Sequence, residues 1–229
     1  MAQSGAHGSG TESSGQLPPS LAIFPLAGVL LLPGGRLPLN IFEPRYLAMV
    51  RDAMATHRII GMVQPTDPRT RDWAPPVYPV ACAGRITSFS ETDDGRFQIV
   101  LTGISRFRIA EELAVTTLYR QVTADWSPYT ADAEAPAGKV DRKRLLQGLR
   151  EFLDLHQIPA EGQAIERAPD EPLVNTLAMI CPFAPSEKQA LLEAPDLLGR
   201  AELMTALIEM AVLNRRAAGG QDPDRRPLH

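Results

Sequence analysis

The residue types that could catalyse acyl transfer come close together at one point of the sequence, where Ser186 is followed two residues later by Lys188. A lysine can activate a serine nucleophile, but such a pair also needs burial and donors for an oxyanion. Ser186 and Gln189 also match the capping-box pattern of a short helix that ends near Glu193. Because this pattern explains the serine as a helix cap and the lysine as part of an exposed first turn, we predict no catalytic pair.

The sequence contains no complete motif for binding phosphate or a metal ion. A lysine follows a glycine only at Gly138-Lys139, and a valine stands where a phosphate-binding loop needs serine or threonine. Residues 103–107 lack the second glycine of a nucleophile elbow. No two of the four histidines are four residues apart, and the two cysteines, Cys82 and Cys181, are expected to be reduced thiols. The sequence therefore predicts no enzyme, no cofactor and no metal site.

The region before residue 60 predicts a hairpin followed by a helix. Two apolar runs, residues 29–32 and 37–39, flank Pro33-Gly34-Gly35, whose glycines suit a tight reversal between strands. Proline is favoured at the first helical position, and a carboxylate there is stabilised by the helix dipole. Glu43-Pro44 therefore predicts the start of a helix over residues 44–56, with Glu43 as its cap.

Further strands are predicted up to residue 126. Asp93-Asp94-Gly95 is typical of a hairpin turn, and Gly103 predicts another sharp turn. We expect Arg45 and Arg106 each to pair with a nearby acid rather than to contact a partner. Six or more short strands with one inserted helix predict a β-rich domain over residues 21–126, in the form of a curled sheet or small barrel.

The second part of the sequence changes to a helical period. Residues 127–138 are predicted to be a linker by composition, and residues 139–216 to form a bundle of four helices. Residues 1–20 and 217–229 are polar and are expected to be disordered tails. The predicted fold class is α+β, with a β-rich domain followed by a helical bundle.

Several short motifs resemble the Lon protease N-terminal (substrate-binding) domain family. They are Phe24-Pro25-Leu26, Leu32-Pro33-Gly34, Leu37-Pro38-Leu39, Ile41-Phe42-Glu43-Pro44-Arg45-Tyr46, Asp94-Gly95-Arg96 with Ile99, Gly103 with Arg106-Phe107, and residues 188–193. The resemblance extends from about Leu21 to about Arg215. It implies a PUA-like barrel and a non-catalytic protein-binding module of stand-alone bacterial type, without the ATPase and peptidase domains.

The predicted hairpin suggests where such a module would bind its clients. Its two runs are apolar at every position, so both of its faces are apolar and one of them needs a cover. One interpretation is that the helix at Pro44 or the C-terminal bundle supplies that cover. The other is that the surface near Leu32, Pro33 and Leu37 binds apolar segments of other proteins, and these three residues are the predicted client site.

An RNA-binding module is the alternative function, since PUA-like barrels elsewhere bind RNA. A net charge of −4, an aromatic content of 6% and the lack of a basic stripe argue against nucleic acid. No signal peptide or apolar run of membrane-spanning length is present, so a cytoplasmic location is expected. The expected partners are unfolded or apolar polypeptide segments, with a protease or a chaperone as a further partner, and the oligomeric state is left open.

Overall fold

The computed structural model of the chain describes residues 17–133, 139–158 and 162–219. In these ranges, six strands and one inserted helix come first: β1 (Ser20–Pro25), β2 (Arg36–Ile41), α1 (Pro44–Ala55), β3 (Ile59–Val63), β4 (Val80–Glu91), β5 (Phe97–Glu112) and β6 (Gln121–Asp125). A 3-10 segment (Ser127–Ala133) and five helices follow: α2 (Arg142–Leu155), α3 (Gly162–Arg167), α4 (Asp170–Ile180), α5 (Pro185–Glu193) and α6 (Leu197–Gly219). The mixed α and β class predicted from the sequence is confirmed.

The six strands form one sheet in the order β2-β5-β4-β3-β1-β6, and β5 also pairs with β6. The 16 residues of β5 make this possible, because β2 pairs with its first half and β6 with its last residues. The strands β5, β4, β3, β1 and β6 therefore pair in a closed cycle. β1 and β3 run parallel, and the other pairs in the described residues are antiparallel.

The predicted hairpin at Pro33-Gly34-Gly35 is wrong. The run 29–32 is not a strand, and β1 pairs with β3 and β6 rather than with β2. The glycine turn instead lies against β5, where Gly103 N–H donates to Gly35 O at 2.8 Å and Gly34 N–H donates to Gly103 O at 3.0 Å. These contacts attach an apolar loop to the sheet, and β2 begins only after it.

Gly103 does not form the predicted turn, because β5 continues through it without a break. A Cβ atom at this position would lie 2.0 Å from the carbonyl oxygen of Leu32, which is far inside van der Waals contact. Glycine is thus required by the close approach of the loop to the strand. The predicted hairpin at residues 93–95, in contrast, is present between β4 and β5, with Gly95 at φ +79°.

The inserted helix agrees with the sequence pattern at its start, and the C-terminal region differs from the pattern in several places. α1 starts at Pro44 as predicted. α3 was not predicted, since its six residues carry no apolar stripe. The first part of the predicted linker, Ser127–Ala133, is a 3-10 segment, and α6 continues to Gly219, inside the predicted tail. Predictions for residues 1–16, 134–138, 159–161 and 220–229 lie outside the described residues.

Apolar side chains cover both faces of the central strands. One cluster draws Leu21, Ile23, Phe107, Val122 and their neighbours from the five strands of the cycle. A larger cluster on the opposite face joins strand residues to α1 and to α2, α4, α5 and α6. β3 is consequently buried at all five positions. Among the described residues, no helix combines the length and apolar character that crossing a membrane requires.

Buried polar side chains cross the boundary between the strands and the C-terminal helices. We call this set the joint; its members are Gln64, Arg106, Asp132, Asn175, Lys188, Gln189 and Arg200. Gln64 donates to Pro185 O at 3.1 Å, and Gln189 donates to Val80 O at 3.1 Å. Because a buried polar group costs stability when its partner is missing, these bonds fix the position of the helices on the sheet.

Candidate functional site

The three residues predicted to bind clients lie in the loop and at the start of β2. Leu32 is fully buried and Pro33 is buried, whereas Leu37 is half-buried on the edge strand. α4 covers the loop, since Asn175 Nδ2 donates to Pro33 O at 3.0 Å. The C-terminal helices thus supply the cover that was one of the two interpretations, and Leu32 and Pro33 are not available to a partner in this conformation. Leu37 remains a predicted contact.

A more accessible apolar surface lies where β2 leads into α1. Phe42 is 62% exposed, directly before the first turn of the helix. Glu43 occupies the N-cap position, but its carboxylate accepts from Arg45 Nε at 2.9 Å and not from the helix backbone. Glu43 is therefore at the predicted position, but its side chain does not cap the helix. Arg45 was expected to pair with a nearby acid, and that acid is Glu43. The Arg45 guanidinium also lies 4.5 Å from the centre of the Tyr46 ring.

Arg45 connects this helix start to the loop between β3 and β4, residues 66–76. Its Nη1 donates to the carbonyl oxygen of Trp73 at 2.8 Å, and the Trp73 residue is 62% exposed. Thr66 N–H donates to Pro76 O at 2.9 Å and closes the base of the loop. Arg45 thus holds the backbone of Trp73 close to the start of α1, which Phe42 precedes in the sequence. We call these two exposed aromatic residues the Phe42–Trp73 surface.

A second arginine fixes the same loop. Arg120 Nη1 donates to Pro75 O at 2.7 Å, and its Nε and Nη2 bind both carboxylate oxygens of Glu112 at 2.6 Å each. The hydrogen bonds from Arg120 lower the pKa of the Glu112 carboxyl. Each arginine that positions the loop therefore has its own carboxylate, so the Phe42–Trp73 surface has balanced charge and exposes aromatic rings on a fixed backbone.

Phe42 and Trp73 were not predicted from the sequence as candidate site residues. Phe42 belongs to the motif that carries the family resemblance, but its exposure depends on how β2 and α1 pack. Trp73 lies in a loop without periodicity, so no pattern indicates whether its ring is buried. A large aromatic residue among Pro, Asp, Arg and Thr was the available signal, because such a segment offers few apolar neighbours to bury it.

The two residues considered for catalysis lie in different environments. Ser186 is exposed, while Lys188 is buried and its Nζ donates to Gly28 O and Met179 O at 3.0 Å each. Burial lowers the pKa of Lys188. Ser186 is not the cap that was predicted: Ala184 holds the N-cap position, and its N–H donates to the Glu187 carboxylate at 2.7 Å. Lys188, expected in an exposed turn, is thus a buried member of the joint, and Ser186 lies in the exposed first turn of α5.

Thiol and metal chemistry are likewise unsupported in the part of the chain that the structure describes. Cys82 and Cys181 are both free and buried, and burial raises the pKa of each thiol, that of Cys181 to about 11. Thiols of this kind are weak nucleophiles because the thiolate is disfavoured. Within the described ranges, no group of three His, Cys, Asp or Glu residues could hold a metal ion.

Comparison with solved structures places this fold among Lon N-terminal domains. The chain resembles the crystal structure of a Lon N-terminal domain protein from Xanthomonas campestris, with a TM-score of 0.58 and 23% identity over 82% of this chain and 97% of that one. It also resembles the N-terminal domain of the Mycobacterium avium complex Lon protease, with a TM-score of 0.58, 15% identity and 83% and 98% coverage. At these identities the likeness concerns the fold.

The family model of the ATP-dependent protease La (LON) substrate-binding domain matches residues 20–210. The chain therefore belongs to the Lon substrate-binding domain family, as the sequence motifs predicted.

Curated relatives include Lon protease 2 of Myxococcus xanthus, 26% identical over 84% of this chain and 24% of that protein. The Lon protease of Flavobacterium johnsoniae is 28% identical over 81% of this chain and 23% of that protein. The chain thus matches only about a quarter of the length of these relatives, and the family model that matches it is that of the substrate-binding domain.

Proposed function

We propose that this chain is a non-catalytic recognition module that binds extended apolar segments of unfolded proteins in the cytoplasm, as part of protein quality control. The observation that carries the proposal is the Phe42–Trp73 surface on a member of a substrate-binding family. A protease or a chaperone is the partner that would receive such clients. We further propose that the closed cycle of five strands is a PUA-like barrel and that the C-terminal helices act as its bundle.

The contact residues that we propose are Phe42 and Trp73, with Leu37 extending the surface along β2. Large aromatic side chains contribute much contact area for little loss of conformational entropy, and they dominate many interfaces. The hydrogen bonds of Arg45 and Arg120 hold the Trp73 loop in place before a client arrives, which lowers the entropy cost of binding. A disordered client still loses its own entropy, so single peptides should bind with dissociation constants of about 1–100 µM.

An RNA-binding module is the second candidate, since exposed aromatic rings beside arginines can stack on bases. Two observations weigh against it. Arg45 is paired with Glu43 and Arg120 with Glu112, and the net charge of the chain is −4. Binding to phosphates would have to displace these carboxylates, whereas an apolar peptide would not. The two candidates therefore differ in the salt dependence of binding.

One titration series distinguishes them. A denatured model protein and a mixed RNA pool are each titrated against the purified chain at low and at moderate salt. We expect binding of the denatured protein that changes little with salt, and weak RNA binding that disappears as salt rises. Tight, salt-sensitive RNA binding without a response to the denatured protein would replace the proposal by its alternative.

Variants then locate the surface. Trp73→Ser and Phe42→Ser should each weaken client binding by about tenfold, which is the loss of one well-placed aromatic contact. Ile180→Ser is the matched control, because Ile180 is 57% exposed and belongs to α4. Its affinity should equal that of the unchanged chain. If all three variants bind clients as well as the unchanged chain does, the client site lies elsewhere on the molecule.

A further inference from the structure

β2 lies at an open edge of the sheet. The strands β5, β4, β3, β1 and β6 pair in a closed cycle, whereas β2 pairs with β5 outside that cycle. No strand lies on its other side among the described residues, and Arg36, Pro38 and Asn40 are exposed. The backbone N–H and C=O groups of an open edge are repeated at strand spacing, and a second extended chain can pair with them.

The hydrogen bonds of β5 show which backbone groups of β2 face the open edge. Gly103 N–H donates to Gly35 O at 2.8 Å, and Gly34 N–H donates to Gly103 O, so both backbone groups of Gly103 point toward the side of β2. Val100 O, at an even position, instead accepts from Thr87 Oγ1 of β4 at 3.2 Å. Because backbone groups of successive residues point to opposite edges of a strand, the odd-numbered residues of β5 up to Gly103 face β2. They are paired with the odd-numbered residues of β2, and the even-numbered residues of β2 therefore face the open edge.

The backbone groups at this edge belong to Arg36, Pro38 and Asn40. Pro38 has no N–H, and proline is tolerated in a sheet where its nitrogen faces away from the neighbouring strand, as it does here. The edge therefore offers carbonyl oxygens at all three positions and N–H groups at Arg36 and Asn40. Within the described residues, no backbone atom pairs with these groups. The backbone of another extended segment matches them, because it carries donors and acceptors at the same spacing.

The side chains of β2 indicate which segments fit this edge. Leu37 and Leu39 are half-buried on one face of the strand, and the residues at even positions are exposed on the other. An added strand places its side chains beside those of the edge strand on each face. A segment that alternates apolar and polar residues therefore fits best, because its apolar side chains extend the contacts of Leu37 and Leu39. Backbone pairing sets no further sequence requirement, which suits a site that receives many different clients.

We propose that an extended segment of an unfolded polypeptide pairs with the open edge of β2 as an additional strand. Such pairing deepens the proposed function, on which it rests, because the site then binds the backbone of the client as well as its apolar side chains. Phe42 directly follows β2, so a client strand that runs along the edge reaches the Phe42–Trp73 surface. Pro38 interrupts the row of N–H groups, so the pairing is short and reversible.

Titration of the denatured model protein against variants of β2 tests the backbone contact. Asn40→Pro removes an N–H at the open edge and no bond to β5, so client affinity should fall by about fivefold. Asn40→Ala is the matched control, because it changes the side chain but keeps the N–H, and it should bind clients as the unchanged chain does. Pro38→Ala adds the missing N–H and should tighten client binding by about threefold.

Thermal unfolding of each variant checks that the fold is intact, and Pro38→Ala tests the contact by itself if Asn40→Pro does not fold. Unchanged client affinity in Pro38→Ala would overturn the proposal. So would equal losses of affinity in Asn40→Pro and Asn40→Ala, because the side chain and not the backbone would then account for the effect.

Amide hydrogen exchange, followed by NMR, locates the added strand. In the free chain the amides of Arg36 and Asn40 should exchange fast, and those of Leu37 and Leu39, which face β5, should exchange slowly. Saturating denatured model protein should protect the amides of Arg36 and Asn40. Slow exchange of these two amides in the free chain would show that the edge is already covered, and it would overturn the proposal.

The same measurements separate this proposal from the proposed function. If the denatured protein binds and Phe42→Ser weakens that binding, while the amides of Arg36 and Asn40 stay unprotected, the added strand is overturned and the proposed function stands. If the denatured protein does not bind the unchanged chain, both are overturned.

Discussion

Two arginines with similar contacts serve different regions of this molecule. Arg106 in the joint and Arg45 beside the Phe42–Trp73 surface each bind one carboxylate and at least one backbone carbonyl oxygen, and each lies 4.5 Å from the centre of a tyrosine ring. The Arg106 side chain is 4% exposed and that of Arg45 is 25% exposed. The two arginines therefore differ in burial and in the number of carbonyl oxygens that they bind, which is three for Arg106 and one for Arg45.

This difference explains why one arginine supports the fold and the other supports a surface. Arg106 binds Asp132 and reaches carbonyl oxygens of Leu192 and Ala194, so it connects β5 to the 3-10 segment and to the end of α5. If it is removed, water cannot replace its bonds, and the charge of Asp132 stays buried. Around Arg45, water can replace lost bonds at small cost, so its main contribution is to hold the Trp73 loop.

The largest expected effect comes from Arg106→Met. The variant removes the guanidinium that pairs with the buried Asp132 and leaves only the backbone N–H of residue 106 to donate to it. We therefore expect it to lower the free energy of unfolding by about 3–5 kcal/mol. Urea denaturation measures this. Arg96→Met is the matched control, since its partner Asp94 and Arg96 itself are both about half exposed, and it should change stability by less than about 1 kcal/mol. Equal losses of stability in the two variants would show that burial does not decide how much these ion pairs contribute to the fold.

Gly103→Ala tests the close approach between the loop and β5. Its new Cβ would meet the Leu32 carbonyl at 2.0 Å, and backbone atoms on both sides leave little room to adjust. We expect a loss of about 1–3 kcal/mol in the free energy of unfolding. Gly162→Ala provides the control, because the Cβ that it would add points into open space. A stable Gly103→Ala variant would mean that the loop can move away from the sheet.

Arg45→Met should weaken client binding while changing the free energy of unfolding only slightly. The variant frees the Trp73 carbonyl and Glu43, both of which water can reach, so the free energy of unfolding should fall by less than about 1 kcal/mol. Client affinity should fall by about threefold, because the loop is no longer fixed before binding. Urea denaturation and the denatured-protein titration measure the two quantities. A large loss of stability with unchanged client affinity would assign Arg45 to the fold instead.

The smallest effect concerns alkaline pH. Tyr119 donates to Asp52 Oδ2 at 2.7 Å, and burial, followed by this hydrogen bond, raises the pKa of Tyr119 to about 12. A pKa that is higher in the folded state means that folding favours the protonated phenol. Its contribution to stability is therefore complete below about pH 10 and is lost as the pH rises toward 12. Tyr119→Phe should lose less stability than the unchanged chain between these pH values, as measured by urea denaturation. Parallel losses would show that Tyr119 titrates at its ordinary pKa when folded.

Local signals in the sequence were sufficient for the elements whose chemistry is local. Glu43-Pro44 set the start of α1, and Asp93-Asp94-Gly95 set the β4–β5 hairpin. Each of these depends on the backbone preferences of a few adjacent residues. The family could also be predicted, because its motifs are short and continuous.

Contacts between residues far apart in the sequence were decided only by the tertiary structure. The apolar run that ends at Leu32 gives the same pattern whether α4 covers it or a client does, and the distant Asn175 contributes to its cover. The sequence around Gly103 predicts a turn, because no neighbouring residue indicates the close approach of Leu32. A Cβ atom added at Gly103 would lie 2.0 Å from the carbonyl oxygen of Leu32. Asp132 lies in a segment with the composition of a linker, yet Arg106 buries it. Trp73 is exposed because Arg45 and Arg120, brought close only by folding, hold the backbone of its loop.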